Sequence, residues 1–321
     1  MSISILGAGA FGTALAVALA RNGSEPVLWA RDRGLADQMT ASGSNTARLP
    51  GIKLPATITA TSDIEVASHA EVILLAVPMQ QLAGLLDQNA GLLDGKTLVG
   101  CAKGIDLNTG RGASAIINSN CPSAVPALLT GPSFAADIAR GLPTALTLAC
   151  ADDAHGAALQ TALATPVLRL YRSTDIIGAE LGGALKNVIA IAAGVVMGAG
   201  LGESARAALM TRGFAEMNRL AIALGAQAET LAGLSGFGDL VLTCTSQQSR
   251  NYSYGYAIGS AAAFDTSTTV EGAATSKAVT MLAKKHGIDL PIAAMVAALV
   301  DETVSVPDAV SALLSRPLRK E

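Results

Sequence analysis

Charge is scarce in this 321-residue chain. Asp, Glu, Lys and Arg together make up 15% of it, whereas soluble domains average about 25%. Aromatic residues stand at 3%, with 3 His and 4 Cys. Half of the chain is apolar, so intrinsic disorder is excluded, because it needs low hydrophobicity and high charge. The formal net charge is −3, the pI is near 5.7 and no basic cluster occurs, which excludes the usual footprint of a nucleic-acid binder. Cys101, Cys121, Cys150 and Cys244 form no CxxC pair. Isolated thiols of this kind suit a reducing compartment, as small core residues. His69, His155 and His286 form neither HxxxH nor a Cys/His cluster, and no metal site is expected. G-x-S-x-G and P-loop patterns are also missing.

The mean hydropathy of +0.45 raises the question of a membrane protein. The longest uncharged apolar stretch, residues 188–202, is bounded by Lys186 and Glu203 and is dense in Gly and Ala. A spanning helix needs roughly 17–25 apolar residues. The stretch reads as a helix buried inside a protein, and no membrane span is expected. Met1 leads directly into an apolar strand pattern at residues 3–6, without a basic segment or cleavage site. No export signal is therefore expected, and the location expected is the cytoplasm.

Short β-rich runs alternate with Ala/Leu-rich helical patterns through the first half. The candidate strands are residues 2–6, 27–30, 72–77, 97–101, 127–130, 145–150 and 167–171. Near-continuous apolar runs are the signature of parallel strands buried on both faces. After about residue 173 strand patterns vanish, and helical patterns occupy 176–201, 204–224, 226–234, 275–286, 291–304 and 306–314. The fold class expected is α/β: an N-terminal Rossmann, doubly wound, mostly parallel sheet plus a C-terminal all-α domain. The boundary is set near 175, giving domains 1–175 and 176–321.

Gly7–Ala8–Gly9–Ala10–Phe11–Gly12 is G-x-G-x-x-G, directly after a strand pattern and opening a helical one. In this context the first glycine permits the tight turn and the second lets backbone approach a pyrophosphate. The third allows close helix–strand packing. The pyrophosphate then sits at the positive helix end. At the tip of the second strand stand Arg31, Asp32 and Arg33. An acidic residue there binds the ribose 2′-OH of NAD, and an arginine accommodates the 2′-phosphate of NADP. The tip is NADP-compatible, so the cofactor expected is NADP or NAD. Lys103 and the segment from Gly131 through Ser133 to Ala135 follow later strands and reach the same edge, where binding groups concentrate.

The second half holds few charges. Lys186 lies inside a long apolar helix, preceded by Gly182–Gly183. It is either a desolvated lysine with a lowered pKa or a lysine snorkelling at the helix surface. Asp239 ends a glycine-rich turn, Gly233–Leu234–Ser235–Gly236–Phe237–Gly238. It is either an aimed carboxylate or a helix N-cap. Ser249–Arg250–Asn251, at a helix start, offers fork, hydroxyl and amide donors suited to phosphate; the bland alternative is a capped helix with an exposed arginine. Glu271 alone reads as a surface turn.

Taken together, these motifs resemble the bacterial NAD(P)-dependent glycerol-3-phosphate dehydrogenase family. The resemblance covers essentially the whole chain. It rests on GAGAFGTALA at the start, AVP at 76–78, CAKGI at 101–105 and TGPSFA at 130–135. It continues with ELGGALKNVIAIAAG at 180–194, GLSGFGDLVLTCTS at 233–246, SRN at 249–251 and VEG at 270–272. Family members often carry Ser-Trp where this chain has Ala10–Phe11, and Leu where it has Phe237.

The resemblance implies Lys186 as proton donor and acceptor, with Lys103 and Asp239 as further catalytic residues. It implies a substrate site of Lys103, Gly131, Ser133, Lys186, Asn187, Asp239, Ser249, Arg250 and Asn251. Dinucleotide contacts implied are Gly7, Gly9, Ala10, Phe11, Gly12, Arg31, Lys103, Ala135, Arg250 and Glu271. The implied reaction is reversible hydride transfer between NAD(P)H and dihydroxyacetone phosphate, giving glycerol 3-phosphate for phospholipid synthesis. The implied assembly is a homodimer. Two alternatives remain: a related β-hydroxyacid or ketopantoate-type reductase, and a non-catalytic dinucleotide sensor.

Overall fold

The computed structural model describes residues 1–315; residues 316–321, the end of the second expected domain, lie outside the described residues. The chain forms two compact units. The first comprises residues 1–102 and 112–180, and the second residues 103–111 and 181 onward.

The first unit is built on eight strands: β1 (Ile3–Leu6), β2 (Val27–Trp29), β3 (Thr59–Thr61), β4 (Val72–Leu75), β5 (Thr97–Gly100), β6 (Val125–Thr130), β7 (Thr144–Cys150) and β8 (Leu168–Ser173). Their order is β3-β2-β1-β4-β5-β6-β7-β8. Every pairing is parallel except β6 with β7, so the last two strands run against the rest. The order reverses between β1 and β4, where Leu6 pairs with Leu75. Ligands of such sheets bind at the carboxyl ends of strands beside this reversal.

Along β4, Val72 and Leu74 enter one buried cluster and Ile73 and Leu75 another. Successive strand side chains point to opposite faces, so the apolar run fills two layers of helix packing. Those helices are α1 (Ala10–Arg21), α2 (Arg33–Ser42), α3 (Ile64–Ser68), α4 (Met79–Leu93), α5 (Ala113–Asn120), α6 (Ala135–Arg140) and α7 (Asp153–Leu163). All four cysteines are buried and free, as their isolation in sequence suggested.

Helix α8 (Ile176–Gly198) begins in the first unit and continues into the second. It is the one helix among the described residues long and apolar enough to cross a membrane, and 83% of its most apolar window is buried inside the protein. The second unit adds α9 (Glu203–Ala223), α10 (Ala228–Ala232), a π-helical turn (Leu234–Gly238), α11 (Asp239–Cys244), α12 (Arg250–Ser260), α13 (Glu271–His286), α14 (Pro291–Val300) and α15 (Val306–Leu314). Its core is aliphatic and Ala-rich, from Leu185 and Ile189 to Leu220, Val279 and Val296. The sequence patterns missed β3, a half-exposed Thr-Ala-Thr edge strand.

Candidate active site

The glycine-rich loop closes β1 onto α1. Gly7 has φ +120°, and a Cβ there would lie 2.7 Å from the Ala76 carbonyl oxygen, just past β4. A Cβ on Gly12 would meet the Gly7 carbonyl oxygen at 2.1 Å. Gly9 faces open space, with nothing within 4 Å of where its Cβ would be. So two glycines are demanded by packing and the middle one leaves the approach clear. Gly9 is also the N-cap of α1, in extended conformation, and the first turn of that helix holds no acidic residue. The positive end of α1 is thus left for an external anion. These residues fit a dinucleotide pyrophosphate.

At the tip of β2, Asp32 is the N-cap of α2 and accepts the Leu35 N–H at 2.7 Å. Its carboxylate is engaged by the helix. Arg31 is exposed, and Arg33 is exposed beside Asp37 at 3.8 Å. After β6, Gly131 has φ +131° and packs against Leu146, while Ser133 Oγ donates to the Gly131 carbonyl at 3.1 Å. Ala135 opens α6. Ala10 and Phe11 form the first turn of α1, half-buried against the core.

The second unit gathers a charged cluster. Asp239, 1% exposed, opens α11. Its Oδ1 accepts from Lys186 Nζ at 3.0 Å and its Oδ2 from Lys103 Nζ at 2.8 Å. Lys186 Nζ also donates to Thr243 Oγ1 at 2.7 Å, and that hydroxyl donates to Asp239 Oδ1 at 3.1 Å. Of the two readings open for Lys186, burial is realised: the residue is 6% exposed. Of the two for Asp239, capping is not: no side-chain cap bond forms at α11.

Local structure explains the aim. Gly182 and Lys186 are four apart on α8 and so share a face. A Cβ on Gly182 would lie 2.8 Å from the Ser235 carbonyl oxygen, and one on Gly236 would lie 2.0 Å from that of Leu231. Both glycines let the π-helical turn press against its neighbours, and Asp239 follows it directly. Thr243, which the sequence reasoning missed, lies four residues beyond Asp239 on the same face of α11. That spacing within an apolar run was the signal for it.

Electrostatics follow from burial and these partners. Desolvation pushes the Lys186 ammonium down to about 8; the Asp239 charge opposes this and the Lys103 charge adds to it. For Asp239 burial alone would raise the pKa, but Lys103 and Lys186 together hold it below its ordinary value. Burial pushes the neighbouring Cys244 thiol up to about 12, leaving it protonated and inert.

A chain of amides runs beside the cluster. Asn187 Nδ2 donates to the Lys103 carbonyl at 2.8 Å, and Asn251 Nδ2 to Asn187 Oδ1 at 2.9 Å. The Gly272 N–H donates to Asn251 Oδ1 at 2.8 Å, next to Glu271 at the head of α13. Ser249 caps α12 by accepting the Tyr252 N–H, and Arg250, exposed, is its first residue. Lys103, Lys186, Asn187, Asp239 and Asn251 are therefore linked by hydrogen bonds within one unit. Gly131, Ser133, Ala135, Arg31 and the glycine loop belong to the other.

Comparison with known proteins identifies the family. Residues 2–156 match the model for the NAD-dependent glycerol-3-phosphate dehydrogenase N-terminus, and 175–311 that for its C-terminus. A relative from Cereibacter sphaeroides named glycerol-3-phosphate dehydrogenase [NAD(P)+] is 63% identical, over 99% of this chain and all of the relative. One of the same name from Ruegeria sp. is 57% identical over the full length of both. The crystal structure of glycerol-3-phosphate dehydrogenase from Coxiella burnetii superposes with TM-score 0.93 at 37% identity, covering 98% of this chain and 99% of that one. The chain belongs to the NAD-dependent glycerol-3-phosphate dehydrogenase family.

Proposed function

We propose that the chain reduces dihydroxyacetone phosphate to sn-glycerol 3-phosphate with NADPH or NADH, reversibly, and so supplies glycerol phosphate for phospholipid synthesis. The observation that carries this is the buried Lys186–Asp239–Lys103 cluster. When bound, the reduced dinucleotide supplies the hydride to C2 of the ketone.

Negative charge then develops on the ketone oxygen. Lys186 as ammonium has three donors, and Asp239 and Thr243 take two of them. The third is directed by those two and delivers the proton to the oxygen. A general acid of this kind contributes ~10²–10⁴-fold. Lys103 adds a second positive charge that stabilises the oxyanion. Arg250, with Ser249 and Asn251, clamps the substrate phosphate, and Asn187 lines the same site. That clamp positions the ketone, where much of the orientational gain arises.

Gly131 and Ser133 are further proposed substrate contacts. Gly7, Gly9, Ala10, Phe11, Gly12, Arg31, Lys103, Ala135, Arg250 and Glu271 are the proposed dinucleotide contacts. Engagement of Asp32 as a helix cap, with Arg31 exposed, supports acceptance of NADP. The assignment of residues 1–175 to the dinucleotide and 176–321 to substrate, a homodimer and a cytoplasmic location belong to the same proposal.

The test is NADPH oxidation by dihydroxyacetone phosphate, run beside NADH. Lys186→Ala should abolish turnover and leave NADPH binding nearly intact; near-wild-type kcat in that variant overturns the assignment. Arg250→Ala should raise KM for the phosphorylated ketone, and an unchanged KM removes the phosphate role.

A further inference from the structure

Asn45 lies outside every motif in the sequence, yet its side chain hydrogen-bonds the glycine-rich loop directly. It is fully buried, at 0% exposure. Its Nδ2 donates to the Ala8 carbonyl at 2.9 Å and to Thr13 Oγ1 at 2.8 Å. Ala8 stands between Gly7 and Gly9, and Thr13 lies in the second turn of α1, itself fully buried. One amide therefore bridges the turn before the helix to the body of the helix.

The segment carrying Asn45 is closed on itself. The Asn45 carbonyl accepts the Arg48 and Leu49 N–H groups at 3.2 and 2.7 Å, and the Leu54 N–H donates to the Gly43 carbonyl at 2.8 Å. Ser44 and Lys53 form an antiparallel bridge, and Leu49 is anchored in the core. The amide is thus presented from a fixed support.

Its orientation is dictated by the partner. The Ala8 carbonyl can only accept, so the amide nitrogen must face it. Reversal would set two acceptors against each other. The consequence is a buried Oδ1 with no hydrogen-bond partner. Orphaned buried acceptors are costly and rare.

What the donor contact does follows from peptide geometry. The Ala8–Gly9 peptide is planar and trans, so its C=O and N–H point in opposite directions. Holding the Ala8 oxygen against Asn45 turns the Gly9 N–H away from Asn45, at the positive end of α1, where Gly9 itself leaves open space. Gly9 itself imposes little φ/ψ restriction on this peptide, so the bond from Asn45 restrains its rotation. The bond to Thr13 fixes the angle between loop and helix.

We propose that Asn45 is a positioning residue for dinucleotide binding: it locks the Ala8–Gly9 peptide so that the Gly9 N–H is preset toward the pyrophosphate. The inference rests on the dinucleotide reading of the glycine loop. Its effect is on cofactor affinity through preorganisation, without contact to the cofactor.

The experiment measures NADPH binding by fluorescence titration, with thermal unfolding alongside. Asn45→Asp keeps the shape but sets a carboxylate against the Ala8 oxygen. Kd for NADPH should rise about tenfold or more, which corresponds to about 1.4 kcal/mol. Leu159→Ala, a buried core change in the same unit remote in sequence from the loop, serves as the stability control. If Asn45→Asp weakens NADPH binding no more than a control of equal Tm loss, the role is merely structural and the proposal fails. Should Asn45→Asp not fold, Thr13→Val decides: a several-fold rise in Kd is expected, and an unchanged Kd overturns the proposal. If the wild-type protein itself binds neither NADPH nor NADH, the dinucleotide reading fails instead, so the two failures are told apart; where only NADH binds, the same titrations are run with NADH.

Discussion

The Asp239 carboxylate reaches Lys186 through one oxygen, at 3.0 Å, and Lys103 through the other, at 2.8 Å. Two ammonium groups are thus held near each other by one buried negative charge. Asp239→Asn preserves the shape and removes that charge. Lys186 then loses the attraction that opposes burial and lysine–lysine repulsion, so its pKa falls further and less ammonium is present near neutrality. We expect kcat for ketone reduction to drop by ~10²-fold or more, with NADPH affinity nearly unchanged. Steady-state kinetics with a fluorescence titration checks both, and a kcat within about twofold of wild type rules out the orienting role.

The two reaction directions should respond to pH oppositely. Reduction needs Lys186 as the ammonium donor, and oxidation of glycerol 3-phosphate needs it as the amine acceptor. With burial pulling its pKa down to about 8, kcat/KM for reduction should fall as pH rises through that value. For oxidation it should rise over the same interval. Profiles of kcat/KM report the free enzyme's groups. Two profiles with limbs of the same sign would remove Lys186 from proton transfer.

Gly182→Ala separates aim from stability. Alanine outranks glycine in a helix by about 1 kcal/mol, but its Cβ would sit 2.8 Å from the Ser235 carbonyl oxygen and 3.0 Å from Gly236 Cα. Both contacts are backbone, so the π-helical turn must move and carry Asp239 with it. The expected result is a lowered Tm together with a lowered kcat. Gly84→Ala, in α4 with nothing within 4 Å of its Cβ, should raise stability slightly and leave kcat alone. Equal behaviour of the two variants would show that the close approach at Gly182 does not position the carboxylate.

These glycines illustrate what sequence patterning could and could not carry. The doubly wound sheet was legible because buried strands are near-continuous apolar runs, and the glycine loop because its three glycines have distinct steric duties. Lys186 and Asp239 stood out because charge is rare around them, but their pairing across 53 positions has no local signature. Thr243 was legible only once Asp239 was known to face inward. Asn45 left no trace, since a single polar residue in an aperiodic loop looks like any solvated turn. The edge strand β3 failed for a similar reason: three half-exposed residues carry too little apolar pattern.

Glu216 offers a pH test away from the lysine cluster. It lies on α9, buried, and its carboxylate receives the Ile292 N–H at 2.8 Å and the Ala293 N–H at 3.2 Å at the start of α14. Burial pushes its pKa up from 4.5 to about 7, although both N–H groups and Arg219 favour the charged form. The native state thus binds more protons than the unfolded state between these two values. The stability it contributes is fully present below the unfolded pKa and is lost as pH rises through about 7. At about 1.36 kcal/mol per pKa unit, the loss is on the order of 3 kcal/mol. Glu216→Gln keeps a carbonyl acceptor and does not titrate. Scanning calorimetry from about pH 5 to about pH 8 should show wild-type Tm declining relative to this variant. A constant Tm difference over that interval would mean that Glu216 stays charged in the folded protein throughout.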